Sequence, residues 1–184
     1  MSSCRPSSAR MSRTTIRNLQ GRRKPNGTTV SVVNAQRRLP VSSSHIVRFA
    51  EQAIQHLRIQ AAGTFTITLI DAQEMQRLNR RFCHHDRATD VLSFRYDGEP
   101  IVGEILIAPA AARAYANAHG LRYRDELARY VIHGLLHWLG HDDRTATQQR
   151  KMRALEDRLL AQCARGGRGR ETRGEGKRWL PRAP

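Results

Sequence analysis

The stretch DELARYVIHGLLHWLGHDD, residues 125–143, decides how this chain is read. Its apolar positions Leu127, Val131, Leu135 and Trp138 recur at steps of three and four, the period of a helix with a buried face. Asp125 and Glu126 stand in the first turn, where acids complement the helix dipole, and Gly140 closes the helix. His133 and His137 are four apart, so on a helix they share one face and aim two imidazoles at one point. That is the spacing of a helical zinc site, although a lone pair of this kind is often structural. The residues that follow add to it. Gly140 can take a left-handed conformation and reverse the chain, and Asp143 then falls where a third ligand would return. Three protein ligands leave a position open for water, the catalytic arrangement. His141 is the alternative third ligand, and Asp142 caps the turn or supports a ligand histidine. Gly134 stands where a HExxH peptidase carries its general-base glutamate, so the usual peptidase base is missing. The absent side chain is read as room for substrate.

Working outward, TTVSVVNAQ from Thr28 is dense in β-branched residues and reads as a first strand. Ser44 caps a helix that repeats Ile46, Val47, Ala50, Ile54 and Leu57 on one face. TFTITLID alternates Phe65, Ile67 and Leu69 with three threonines, a strand with one buried face. Asp71 and Glu74 form a capping box for the helix AQEMQRLNRRF. The loop CHHDRAT leads to the strand DVLSFRY, and the turn DGEP to the strand VGEILIA. Pro109 starts a helix closed by Gly120, and TATQQRKMRALEDRLLAQCA is the last helix. The order βα, β, α, β, β, α, α, α describes an α+β domain, a small mixed β-sheet packed against helices.

The charge is +16 over 184 residues. Seven Arg and Lys with no acid lie in residues 1–27, and seven against two acids in residues 161–184, which leaves +4 for the rest. The expected organisation is therefore a basic extension at 1–27, a folded domain at 28–162 and a disordered basic tail at 163–184. A chain this basic points to a polyanionic partner, nucleic acid first. The first 27 residues are rich in Ser and Arg, as an organelle transit peptide or the product of an early start codon would be; Met11 is an alternative start. No apolar run is long enough to span a bilayer. Cys4, Cys83 and Cys163 are scattered, which argues against a disulfide framework and fits a reducing, cytoplasmic setting.

Three blocks resemble one family. HGLLHWLGHDD is similar to the H-G-x-L-H-L-x-G-Y-D-H signature of the YbeY endoribonucleases. LNRRFCHHDRATDVLSF, residues 78–94, resembles the family's L-N-x-x-Y-R-x-x-D-x-P-T-D-V-L-S-F, and GEILIA, residues 103–108, its G-D-I-x-I strand. The resemblance covers about residues 28–162. It implies a zinc-binding α+β fold with a zincin-like metal helix. It also implies cleavage of single-stranded RNA in ribosomal RNA maturation and ribosome quality control, with ribosomal RNA, ribosomal subunits and assembly factors as partners. His133 and His137 match the first two metal histidines. Asp143 stands where the family has its third, and His141 where it has tyrosine. Cys83 stands at the position of a functionally important arginine, for which Arg80, Arg81 or Arg87 could substitute unless they are solvated surface residues.

The candidate set is therefore one zinc ion on His133, His137 and Asp143 (or His141), with Arg81 and Arg87 beside His133 and His137 as catalytic residues. Cys83 reads as a small buried residue, and His84 and His85 as exposed loop histidines. Thr89, Asp90 and Ser93 wall a cleft or cap a strand, and Glu104 orders the site or ends an edge strand. Two other functions compete. One is a catalytically impaired ribosome-assembly or RNA-binding factor of the same fold. The other is another metal hydrolase such as a peptidase, which Gly134 disfavours.

Overall fold

Four strands and five helices follow one another in a computed structural model that describes residues 27–84, 89–96 and 101–166. Most of both basic extensions, and with them His85 and Arg87, lie outside the described residues. The elements are β1 (Thr28–Asn34), α1 (Ser43–His56), β2 (Gly63–Leu69), α2 (Ala72–Cys83), β3 (Val91–Arg95), β4 (Ile101–Ile107), α3 (Pro109–Ala118), α4 (Tyr123–Trp138) and α5 (Ala146–Gly166). The sheet order is β1-β2-β4-β3. β1, β2 and β4 run parallel, with Val32 opposite Ile67 and Ile67 opposite Ile105. β3 runs antiparallel to β4, with Ser93 opposite Ile105. This is the expected α+β class.

Both faces of the sheet are covered. Phe65, Ile67, Leu69, Ile105 and Ile107 pack under Ile46, Ala50 and Ile54 of α1, Leu127, Val131 and Leu135 of α4, and Met152, Leu159 and Cys163 of α5. On the other face Met75, Leu78 and Cys83 of α2 meet Leu92, Phe94 and Leu106. β2 was expected to bury one face only, yet Thr66 is buried as well, because the second face of the sheet is covered too, with α2 packed on it. Cys163 is 3% exposed on α5, so ordered structure runs past the expected boundary at 162.

Several ends differ from the sequence reading. The cap of α1 is Ser42 rather than Ser44, its hydroxyl accepting from the His45 amide at 3.3 Å. Asp71 occupies the N-cap position of α2 without a side-chain cap bond. Glu74 binds Arg77 on the helix surface instead, at 2.6 and 2.8 Å. A reciprocal capping box does form at α5: the Thr145 hydroxyl accepts from the Gln148 amide at 3.2 Å, and the Gln148 side chain accepts from the Thr145 amide at 2.9 Å.

Gly134 faces the sheet. A Cβ there would collide with Ile105 Cγ2, so its missing side chain makes room for β4 and not for substrate. At the same junction Ser93 Oγ donates to the Gly134 carbonyl at 3.0 Å, and Trp138 Nε1 donates to the Val102 carbonyl at 3.0 Å. The Trp138 ring lies edge-on to Phe65, centroids 4.7 Å apart, in space that a side chain at Gly103 would fill. These contacts press α4 onto the sheet and turn its histidine face the other way.

Glu104 lies on the opposite face. β4 is an interior strand, so Glu104 ends no edge, and alternation points Ile105 rather than Glu104 at α4. Its carboxylate accepts from Thr68 Oγ1 at 3.0 Å and Tyr96 Oη at 3.3 Å. Burial raises its pKa, and these two hydrogen bonds only partly offset it.

Two stability predictions follow from this packing. Gly134→Ala should cost about 1–3 kcal/mol by overpacking. Combined with Ile105→Ala, it should cost measurably less than the two single losses together; strict additivity in denaturant unfolding would contradict the contact. A carboxyl whose folded pKa is raised contributes fully below its ordinary value of 4.5, and that contribution is lost as pH rises through the folded value. Glu104→Gln should therefore raise the thermal midpoint by a few degrees at about pH 8 and lose that advantage toward about pH 4. A variant equally destabilised at both pH values would contradict the assignment.

Candidate metal centre

The end of α4 is built to return the chain to its own histidine face. Gly140 has φ +95°, the left-handed region open to glycine. Its amide donates to the His137 carbonyl at 2.9 Å, and the His141 amide to the Leu136 carbonyl at 3.0 Å, which together make a Schellman closure. Asp142 then accepts from the Asp143 amide at 2.8 Å and pairs with Arg144, so it caps the turn and acts on His137 through its charge alone. The turn delivers Asp143, 4% exposed, beside the two imidazoles.

His133, His137 and Asp143 bring their donor atoms within 4.8 Å of one another. The two Nε2 atoms are 2.9 Å apart. Asp143 Oδ1 lies 3.8 Å from His137 Nε2, and Oδ2 lies 4.0 Å from His133 Nε2. The outer nitrogens are both engaged. His133 Nδ1 donates to Glu156 Oε1 at 2.8 Å, and His137 Nδ1 donates to the His141 carbonyl at 2.9 Å. With the proton on Nδ1, each Nε2 presents a lone pair inward. Asp143 Oδ1 is buried with no hydrogen-bond partner. Two inward lone pairs and a partnerless carboxylate oxygen form a donor set that a cation completes, and two imidazoles with a carboxylate suit zinc. The His141 ring is exposed; that residue contributes its carbonyl.

The surrounding carboxylates favour positive charge at this point. Burial pulls the His133 pKa down, but the Glu156 hydrogen bond and the charges of Glu156, Asp90 and Asp143 outweigh it, and the net shift is upward. His137 is shifted downward, first by burial and then by His133. The pair therefore resists carrying two protons at once. Burial raises the Glu156 carboxyl, but hydrogen bonds from His133 and Arg129 outweigh it and keep it ionised. Arg129, also buried, pairs with Glu156 at 3.0 Å, Asp157 at 2.7 Å and Glu126 at 3.7 Å.

Arg129 and Glu156 were not singled out from sequence, and Glu126 was read only as a first-turn acid, although a signal was there. Glu156 sits among Met152, Leu159, Leu160 and Cys163 on the apolar face of α5, where an acid needs a buried partner. Among the arginines expected at the site, Arg81 lies on α2 with its guanidinium 5.5 Å from the Phe82 ring. It does not line the cavity beside the metal donors, and Arg87 lies outside the described residues. Cys83 is buried in the apolar cluster under α2, so that position displays no polar group toward the donors. Asp90 accepts from the Val91 amide at 3.1 Å and lines the cavity beside His133.

The family model described as Endoribonuclease YbeY matches residues 31–164. The chain belongs to the YbeY endoribonuclease family. An Endoribonuclease YbeY from Persephonella marina is 33% identical over 127 residues, covering 65% of this chain and 82% of the relative. A YbeY from Thermobifida fusca is 31% identical over 134 residues, covering 67% and 86%. A solution structure from Thermotoga maritima superposes with a TM-score of 0.51 at 23% identity, covering 82% of this chain and 99% of that one, a likeness of fold. The YbeY match encloses all three donors and Glu156.

Replacing Glu156 with Gln keeps the side-chain shape but removes the charge that holds His133. Glu156→Gln should lower metal affinity by about 10–100-fold, read by competition with a chromogenic chelator. Wild-type affinity in that variant would show that Glu156 does not support the donor set.

Proposed function

We propose that this chain is a metal-dependent endoribonuclease that cuts single-stranded RNA during ribosomal RNA maturation and ribosome quality control in the cytoplasm, with one zinc ion on His133, His137 and Asp143. The observation that carries the reading is the buried, partnerless Asp143 oxygen beside two inward imidazole nitrogens, in a chain of the YbeY family. The net charge of +16 supports a ribosomal, polyanionic partner through salt-sensitive contacts independent of sequence.

A zinc ion held there would supply charge stabilisation at a phosphoryl oxygen and activation of water. The protein's own residues do the rest. Glu156 fixes the His133 tautomer, and the His141 carbonyl fixes that of His137. Asp143 offsets part of the cation's charge, which makes this centre a weaker electrophile than one with three imidazoles. Cationic groups of the loop between α2 and β3, Arg87 first among them, hold the substrate phosphate. Position 134 faces β4, so a peptidase-type glutamate there would collide with the sheet, which disfavours a peptidase.

A second reading is an RNA-binding assembly factor without chemistry. The burial of Cys83 and the carboxylate at 143 favour it. Zinc content and cleavage of an unstructured RNA separate the two. Wild type should bind zinc and cut, and His137→Ala should lose both, by more than the roughly 10–100-fold of a supporting residue. Asp143→His should keep zinc and cut at least as fast. Equal cleavage by wild type and His137→Ala would overturn the enzyme reading, and RNA binding with neither zinc nor cleavage would establish the second.

A further inference from the structure

The metal donors form one wall of a larger space. His133 and Asp143 also line a cavity of about 260 Å³ between α3, α4 and α5, which reaches Tyr115, Gln149, Met152 and Arg153. Its floor is the buried cluster around Arg129, whose guanidinium is committed to three carboxylates. Gln149 and Arg153 are one turn apart on α5, so they face the same way. Neither side chain makes a hydrogen bond or ion pair among the described residues. Tyr115 is half-buried, and one side of its ring is stacked on His119 with centroids 3.9 Å apart and planes at 15°.

The charge pattern selects what can enter. Asp90, Glu126, Asp143 and Glu156 make the interior rich in acceptors, and its one deep cation is already paired. Away from the metal donors, its lining offers a phosphate no uncommitted deep cation. A flat, uncharged ring with hydrogen-bond donors on its edge needs none, and a tyrosine with a methionine is a suitable wall for such a ring. The exposed Arg153 is the uncommitted cation at the rim, where a phosphate attached to that ring would stay. The volume lies just below the ~300–1,000 Å³ of ordinary small-molecule sites, enough for one base and too little for a helix. Bases in A-form duplex are stacked and could not turn into it.

We propose that this α3–α5 cavity is a subsite for the base of one unpaired nucleotide adjoining the bond that is cut. Tyr115 stacks on the base, Gln149 reads its edge, and Arg153 holds the neighbouring phosphate. The proposal rests on the endoribonuclease reading and deepens it: selection for single-stranded RNA is made here, by requiring a base that can leave its stack.

The test uses the zinc-loaded full chain, an unstructured oligoribonucleotide with one cut site, and the same oligonucleotide with an abasic residue beside the cut. Tyr115→Ala should raise KM about 5- to 150-fold, the range of one lost stacking contact, with zinc content unchanged. Tyr115→Phe should restore KM, and Lys151→Ala, on α5 outside the cavity, should behave as wild type. The abasic substrate should show the same KM penalty with wild type and almost none with Tyr115→Ala, since both remove one contact. Arg153→Ala should weaken binding and lower the salt slope by about 1. A wild type that cuts intact and abasic RNA equally well, or a Tyr115→Ala with wild-type KM, overturns the subsite while leaving the endoribonuclease reading in place. If wild type does not cut at all, that reading fails. The subsite is then judged by fluorescence anisotropy with the same oligonucleotide: weaker binding to Tyr115→Ala that Tyr115→Phe restores supports it, and equal binding overturns it.

Discussion

The Glu156 carboxylate, reaching from α5 to His133 on α4, is the interaction on which the site depends. It is ionised and nearly inaccessible to water, so it must be paired. Arg129 supplies one partner and His133 the other. Arg129 in turn draws in Glu126 and Asp157. Breaking any one of these pairs would leave a buried charge without its complement, typically at a cost of about 3–5 kcal/mol. The cluster therefore locks two helices in one register and sets which nitrogen of His133 faces inward.

Helix α4 serves two surfaces at once. Gly134 lets β4 approach, and Trp138 and Ser93 secure that contact, so the helix cannot roll. His133 and His137 then point away from the sheet, toward the turn that returns Asp143. The same residue that removes the peptidase base is thus a packing residue: close helix–sheet approach and a glutamate at position 134 exclude each other.

The departures from the family pattern fall on different parts of the molecule. Asp143 retains a donor atom where the family has histidine, and the Schellman turn presents it to the other two. Cys83 is absorbed into the cluster beneath α2, on the face of the sheet opposite the histidines. Among the described residues, an exposed arginine that lines the cavity beside the donors stands on α5, at Arg153, and the start of α5 is set by the Thr145–Gln148 capping box immediately after the metal turn. A basic side chain can thus reach the site from a different element from the one the sequence pattern points to.

Much was legible in the linear sequence because it depends on local rules. Helical period placed His133 and His137 on one face, and glycine's access to positive φ marked the turn that returns Asp143. Alternation placed Phe65, Ile67 and Leu69 in the core. Competition between nearby groups was not legible: Glu74 prefers Arg77 to the helix end, and Ser42 rather than Ser44 caps α1. Contacts between distant segments were decided only in the folded chain. His133 and Glu156 are 23 residues apart, Ser93 and Gly134 are 41 apart, and Gly134 meets Ile105 across two elements. Spacing along a chain constrains neighbours on one helix, but which carboxylate a buried histidine meets, and whether a glycine opens toward substrate or toward a strand, depends on how whole elements pack.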